Sequence, residues 1–260
     1  MLKEERRRRI MELLFDSKCL KSSELSEIFN VSQETIRKDL EYLDESGLLK
    51  RTFGGALSVS ADYNSNSLDI IDPSLEDRTV AKQMEKDDIA RFAATLIEPK
   101  DTIVLDSSTT TLQLVKYLPE DQDIVVITNA LVTLNELVRK KGITVISLGG
   151  YYRVKSTSFL GLMSLSNLEN FNINKAFMSG NAFSVEKGLM DPNEQEAEIK
   201  RKMSAMSQES ILLIDSSKFT RMAPITTSPI KVFSTIITNK ELPGTEALKI
   251  ENMGLKVYRI

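Results

Sequence analysis

The chain has 260 residues and contains no histidine, no tryptophan and a single cysteine, Cys19. Without histidine there is no Ser–His or Cys–His nucleophile pair, no imidazole base and no histidine-ligated metal or haem. One cysteine cannot close a disulfide within the chain or build a multi-cysteine zinc or iron–sulfur site. That usage fits a reducing cytoplasm. Long apolar runs are missing too: none exceeds about four residues, against the ~18–20 that a membrane helix needs. The basic start, Arg6-Arg7-Arg8-Arg9, leads into Ile10-Met11-Glu12-Leu13 and not into the apolar stretch of a signal peptide. No metal, cofactor or membrane partner is expected. Net charge is −3, so charge overall does not point to nucleic acid.

What is present is 41% apolar and 27% charged residues, an ordinary globular balance in a length that suits one large domain or two. Residues 1–57 read as three helices and a hairpin. The first helix carries Ile10, Leu13 and Leu14 and ends near Asp16-Ser17. The second starts at a Ser22-Ser23 cap, has Leu25, Ile28 and Phe29 as its apolar face, and stops at Asn30. Ser32 caps the third, Gln33 to Ser46, with Ile36, Leu40 and Leu43 on one face and Gly47 as the stop. Two short strands around Gly54-Gly55 follow. Residues 58–74 are polar and contain a proline, and read as a linker.

From residue 75 onward helices and strands alternate. A helix from Glu76 to about Ile97 precedes strand Thr102–Asp106, helix Thr109–Leu118, strand Ile124–Thr128, helix Ala130–Lys141 and strand Ile143–Leu148. Strand Lys175–Ser179, helix Glu194–Ser207 and strands Ile211–Asp215, Val232–Thr238 and Lys256–Ile260 complete the pattern. Short β-rich apolar runs between amphipathic helices predict an α/β domain over 75–260 with a mainly parallel sheet.

Two short helices joined by a tight turn, then a ribbon, make a winged helix-turn-helix. With Ile36, Leu40 and Leu43 buried, the third helix presents Gln33, Glu34, Arg37 and Lys38 from the half that enters a major groove. Arginine and lysine reach guanine edges or phosphates, glutamine pairs with adenine, and Ser32 and Thr35 suit phosphate oxygens. The ribbon adds Lys50 and Arg51, and the first helix adds Arg6 to Arg9. Residues 1–57 hold eleven basic and eleven acidic side chains, so distribution, not net charge, favours DNA. Leu25 to Leu40, with its Val31-Ser32-Gln33-Glu34-Thr35-Ile36-Arg37 core and the later Gly54-Gly55-Ala56, resembles the DeoR family of bacterial transcription regulators. That family usually has a second arginine where Lys38 stands and a histidine where Phe53 stands. Lys38 keeps the charge but lacks the bidentate fork.

In a parallel sheet, ligands gather at the carboxyl ends of strands. Here those ends carry Asp106-Ser107-Ser108-Thr109-Thr110-Thr111, Thr128-Asn129, Gly149-Gly150, Ser179-Gly180-Asn181 and Asp215-Ser216-Ser217-Lys218. Hydroxyls and free N–H groups at the start of helix 109–118 suit a phosphate, Lys218 suits its charge, and Asp106 and Asn129 suit sugar hydroxyls. Taken singly, each string is more often a capped turn or a surface lysine, and Glu194 to Lys202 a solvated helix face; their convergence at five strand ends is what points to a polyol-phosphate site.

These segments also resemble the sensor domain of the DeoR family, so the likeness runs from residue 1 to about 220. It implies a fold similar to ribose-5-phosphate isomerase and glucosamine-6-phosphate deaminase, a phosphorylated sugar as effector, and a repressor that the effector releases. Two departures stand out: Ser108 where the family usually has glycine, and Asn174 where it often has aspartate. The rival reading is a sugar-phosphate isomerase or deaminase with a DNA-binding appendage. Its candidate acids and base, Asp106, Glu186, Asp191, Glu196, Asp215 and Lys218, form no compact constellation in sequence. A winged-helix module that regulates another protein is a third. A single winged helix makes too few base contacts for an operator, so a homo-oligomer, dimer or tetramer, on double-stranded DNA is expected.

Overall fold

The computed structural model describes residues 3–17, 19–45, 49–52, 54–58, 72–73 and 75–260. The chain divides into two compact units, Met1–Ile71 and Asp72–Ile260. Of the linker read at 58–74, Ser58, Asp72 and Pro73 are described. Gly47, Phe53 and the side chain of Lys50 lie outside the described residues.

The first unit contains α1 (Lys3–Ser17), β1 (Cys19–Lys21), α2 (Ser22–Phe29), α3 (Gln33–Glu45), β2 (Leu49–Thr52) and β3 (Gly55–Ser58). Ile10, Leu14, Leu25, Ile36, Leu40 and Leu43 are buried together with Leu20, Leu49 and Ala56. Asn30 ends α2 because it adopts the left-handed conformation, φ 49°, which asparagine tolerates, and its N–H reaches the Glu27 carbonyl at 3.2 Å. Ser32 caps α3 by accepting the Thr35 N–H at 3.2 Å. Three expectations are corrected. The ribbon is a three-stranded sheet, β1-β3-β2, since Cys19–Lys21 pairs with Gly55–Leu57. The cap position of α2 is Lys21, held in that strand, and its N–H donates to the Glu24 carboxylate. Ile28 is 56% exposed and not part of the core.

The second unit runs α4 (Leu75–Val80), α5 (Gln83–Ala94), β4 (Thr102–Leu105), α6 (Thr109–Leu114), β5 (Val125–Thr128), α7 (Leu131–Leu137) and β6 (Thr144–Ser147). It continues through β7 (Tyr151–Arg153), β8 (Ser158–Leu160), α8 (Leu162–Leu168), β9 (Ile173–Met178), β10 (Ala182–Ser184), β11 (Gly188–Asp191) and α9 (Glu194–Met206). It ends with β12 (Ser207–Leu213), β13 (Ile225–Ser228), β14 (Thr235–Thr238), α10 (Gly244–Glu251) and β15 (Lys256–Arg259). Seven strands form a parallel sheet in the order β15-β14-β12-β9-β4-β5-β6. Alternate residues feed cores on its two faces: Val104, Ile127, Ala176 and Leu212 on one, Ile103, Leu105, Val126, Phe177 and Ile211 on the other. Burial on both faces is why these strands read as continuous apolar runs.

The chain leaves β4 toward β5 and β6, then returns to the other side of β4 for β9. The order therefore reverses between β4 and β9, the point of a parallel sheet at which ligands bind outside the carboxyl ends of the strands. The helix expected over 76–97 is two helices, because Lys82 between them is left-handed at φ 53°. The strand expected from Val232 starts at Thr235, after a 3-10 turn over Ile230–Val232. The ribbon β7-β8 and the sheet β10-β11-β13 were not expected, because strands of three or four residues are too short to show an alternating pattern. Among the described residues no helix is long and apolar enough to cross a membrane, and no group of three or more acidic or cysteine side chains stands to hold a metal.

Candidate functional site

In the first unit, α3 turns Gln33, Glu34, Arg37 and Lys38 outward, all exposed, from its N-terminal half. Arg37 Nη2 lies 2.9 Å from Glu34 Oε1, an exposed pair one turn apart that lowers the glutamate and raises the arginine from their ordinary pKa values through their mutual hydrogen bond. Ser32 and Thr35 share a hydroxyl–hydroxyl bond of 2.8 Å beside the cap. Arg51 is half-buried and braces the ribbon on α3, its Nη1 3.2 Å from Glu41 and its N–H 3.3 Å from Asp44.

The arginines of α1 are not all available to DNA. Asp39, 1% exposed, takes Arg6 Nε on one oxygen at 2.6 Å and Arg7 Nε on the other at 2.9 Å. The Arg7 guanidinium also stacks 3.7 Å over the Tyr42 ring. These two residues fasten α1 to α3 from behind, the side opposite Arg37. A run of four arginines reads as a basic patch only until the tertiary structure supplies a buried carboxylate.

In the second unit, the strand-end residues lie about the reversal between β4 and β9. Asp106 is fully buried and spends both oxygens on the protein. Oδ1 accepts the Ser108 N–H at 3.1 Å and the Thr111 hydroxyl at 2.7 Å, while Oδ2 accepts the Ser179 N–H at 3.1 Å. Asp106 therefore holds the loops that follow β4 and β9 to each other. Ser108 sits at φ −84°, an extended conformation open to any residue, and caps α6 through the Thr111 N–H at 3.2 Å. Serine thus replaces glycine without strain. Asn174 accepts the Thr102 N–H at 2.8 Å, tying β9 to the start of β4, a role that needs only a side-chain oxygen.

Ser107, Thr109 and Thr110 are buried around the first turn of α6, and the Thr109 hydroxyl donates to the Arg78 carbonyl at 3.2 Å. Asn129 donates its side-chain N–H to the Phe159 carbonyl at 3.1 Å, which leaves Oδ1 as an acceptor. Among the described residues, neither Asn129 Oδ1 nor Thr110 Oγ1 has a hydrogen-bond partner, although both side chains are fully buried. Gly149 and Gly150 form a turn beneath α8. Gly150, at φ 120°, has no room for a side chain, since a Cβ would lie 2.6 Å from the Leu160 carbonyl. Gly180 likewise packs flat on Leu189. Gly150 and Gly180 are therefore required by packing within the protein, whereas at Gly149 a side chain would meet open space and the left-handed φ of 61° is what favours glycine.

Lys218, in the turn after β12, places Nζ 3.4 Å from Ser179 Oγ and 3.7 Å from Asp215 Oδ2. Burial lowers its pKa; Asp215 opposes this, and the charges of Lys200, Arg78 and Arg221 deepen the fall. Burial pushes the Asp215 carboxyl up, yet Lys218, the Ser217 hydroxyl, Lys86 and Arg221 outweigh it and hold the group below its ordinary value.

Two lysines of the site were not read from the sequence. Lys200, 4% exposed, bonds both oxygens of Asp191 at 2.9 and 3.0 Å and the Ser179 carbonyl at 2.8 Å, with Asp106 Oδ2 at 3.5 Å. Burial pulls its pKa down, but Asp191, Asp106 and Glu196 more than compensate and keep it protonated. Lys86, 3% exposed, donates to the Arg78 carbonyl, and no carboxylate of the described residues stands within ion-pair distance of it. The solvated face expected over 194–202 is corrected accordingly: Glu196 and Lys200 point inward, Glu196 to Arg153 at 2.9 Å. The spacing held a signal. Lys86-Ile89-Ala90-Ala93 and Glu196-Ile199-Lys200-Met203 place charges in phase with the apolar stripe of each helix.

Comparison with known proteins agrees with both units. Residues 6–62 match the DeoR-like helix-turn-helix domain, and residues 81–240 match the DeoR C terminal sensor domain. The chain is 36% identical to the uncharacterized HTH-type transcriptional regulator YulB of Bacillus subtilis (strain 168), covering all of this chain, 100%, and 98% of that one. It is 33% identical to the transcriptional repressor AccR of Agrobacterium fabrum (strain C58 / ATCC 33970), over 98% and 95% of the two chains. Among solved structures, a D-ribose-5-phosphate isomerase in complex with phospho-erythronic acid aligns with TM-score 0.40 and 17% identity over 53% of this chain and 54% of that one. The exposed N-terminal half of α3 and the strand ends of the parallel sheet therefore sit in a protein that belongs to the DeoR family of DNA-binding transcriptional regulators.

Proposed function

We propose that the chain is a repressor of a carbohydrate-catabolism operon in the bacterial cytoplasm, released from its operator by a phosphorylated sugar. The observation that carries the effector reading is the pair of buried, unpartnered oxygens at strand ends, Thr110 Oγ1 in the first turn of α6 and Asn129 Oδ1 after β5, together with Lys218 in the turn after β12. A buried polar atom without a partner is destabilising by about 1–3 kcal/mol, which a bound polyol relieves. Asn129 Oδ1 accepts, so it calls for a hydroxyl, while Lys218 calls for an anion. A sugar phosphate offers both.

On the DNA side, Ser32, Gln33, Glu34, Thr35, Arg37, Lys38, Lys50 and Arg51 form the proposed contact set, with two or more copies of the chain bound together. The effector acts by favouring one arrangement of those copies, which requires different affinities for the two arrangements. The site works without turnover in this reading. The structure does bring Asp106, Asp191 and Lys200 together, unlike the scattered pattern seen in sequence, but their atoms are committed to one another and to Ser179.

The test uses the full chain and an operator obtained by selection from random duplexes. Phosphorylated sugars are expected to release the duplex while their unphosphorylated parents do not; release by the parents alone would refute the anion site. Lys218→Ala is expected to weaken the effective sugar phosphate by about 10- to 100-fold, the equivalent of one charge-assisted hydrogen bond, with operator affinity unchanged. Arg37→Ala is expected to weaken operator binding by about 1–3 kcal/mol and to leave the effector's thermal shift intact. Loss of both responses would mean that Arg37 serves folding instead of contact. A turnover assay on the effective sugar phosphate separates sensor from isomerase.

A further inference from the structure

We propose that Lys86 is a further anion-binding residue of the strand-end site, and that a bound anion takes its ammonium away from the Arg78 carbonyl in α4, the helix that directly follows the linker. The inference rests on the effector reading above and names the group that connects that site to the rest of the chain.

Four observations place Lys86 there. Its ammonium and the Thr109 hydroxyl donate to the same oxygen, Arg78 O, so it lies within one hydrogen-bonded neighbour of the α6 loop. It is buried on a backbone carbonyl, whereas Lys200 and Lys218 stand against carboxylates, Asp191 and Asp106 for the first and Asp215 for the second. The left-handed Lys82 breaks the helix between Arg78 and Lys86, and that break folds α4 back so that Nζ can reach it; a non-glycine residue adopts this conformation at roughly 1–2 kcal/mol. Finally, the main charges acting on Lys86 among the described residues are mostly of its own sign: Lys218 and Arg221 from the turn after β12 and Arg78 from α4, with Asp215 opposing them. The first turn of α6 adds hydroxyls and no charge. Burial first, and Lys218 next, lower the lysine to about 7. A buried cation amid cations is the setting an anionic oxygen stabilises most.

The consequence has a definite sign. An anion at Lys86 raises its pKa, so binding takes up a proton once the pH exceeds about 7, and affinity falls as pH rises from there. It also takes one donor away from the Arg78 carbonyl, which loosens α4.

Sulfate is the probe, because its charge does not change across the range. Titration calorimetry of the full chain at fixed ionic strength, in buffers of different ionisation enthalpy, is expected to show proton uptake and a Kd that rises up to about tenfold per pH unit between about pH 7 and 9. Lys86→Met is expected to weaken sulfate several-fold at pH 7 and to remove most of that slope. Lys86→Arg, which keeps a cation at every pH, is expected to restore affinity with the slope still reduced, a pattern that misfolding does not produce. If Lys86→Met keeps both affinity and slope while Lys218→Ala loses binding, the inference fails and the effector site stands. If neither substitution changes sulfate binding, both fail.

Discussion

Lys200→Met is expected to destabilise the 72–260 unit by about 3–5 kcal/mol, the range for removing one partner of a buried ion pair. Lys200 holds the strand ends together from inside: it bonds Asp191 on β11, the Ser179 carbonyl after β9, and stands 3.5 Å from Asp106 after β4. Methionine fits the volume but removes every donor. Asp191, 1% exposed, would keep the Thr227 hydroxyl at 2.8 Å and no cation. Burial already raises its pKa, and without Lys200 the carboxyl would protonate on folding. The stability that Lys200 supplies through Asp191 would thus be replaced by a protonation penalty that grows with pH, and the variant should lose most above neutrality. With no tryptophan in the chain, far-UV circular dichroism in denaturant is the direct readout. Combining Lys200→Met with Asp191→Leu should recover part of the loss, because removing both charges is milder than stranding one. A midpoint unchanged in the single variant would show that the pair is not structural.

Asp39→Ala is expected to abolish operator binding although the residue faces away from the groove-entering half of α3. Its two oxygens hold Arg6 and Arg7, whose side chains are 9% and 12% exposed. Removal leaves two largely buried guanidinium groups without their carboxylate and releases α1 from α3. The expected loss is again about 3–5 kcal/mol, and a unit this small rarely derives more than that from a single core. The first unfolding transition should therefore shift below room temperature, while the second unit keeps its own. Arg37→Ala supplies the contrast: weaker operator binding with the first transition in place. If Asp39→Ala binds operator normally, the pair contributes little and the two arginines are free for phosphate.

Much of the fold was readable in the sequence, for a reason particular residues make plain. Val104-Leu105, Val126-Ile127 and Leu212-Leu213 are apolar at successive positions because both faces of the parallel sheet are covered, and continuous runs signal that directly. Ser32 and Asn30 marked helix ends because each supplies a local bond that needs no tertiary partner. The break at Lys82 was invisible, since no glycine or proline marks it; Lys86 reaching the Arg78 carbonyl stabilises it from outside the local sequence. The site was legible as a set of strand ends and not as a set of roles. Asp106 reads in sequence as a ligand group; that Ser108, Thr111 and Ser179 bond its oxygens is visible only in the fold.

By itself, the absence of histidine with one cysteine excluded whole classes of chemistry, and periodicity assigned a winged helix and a parallel sheet. Those are properties of residue type and spacing, which act locally. Which charges are buried, and on what, came only from the tertiary structure. Arg6, Lys86 and Lys200 each resemble solvated charges in sequence, and each is under 10% exposed. A charge leaves water only when partners from distant segments meet it, and that meeting is a property of the assembled fold.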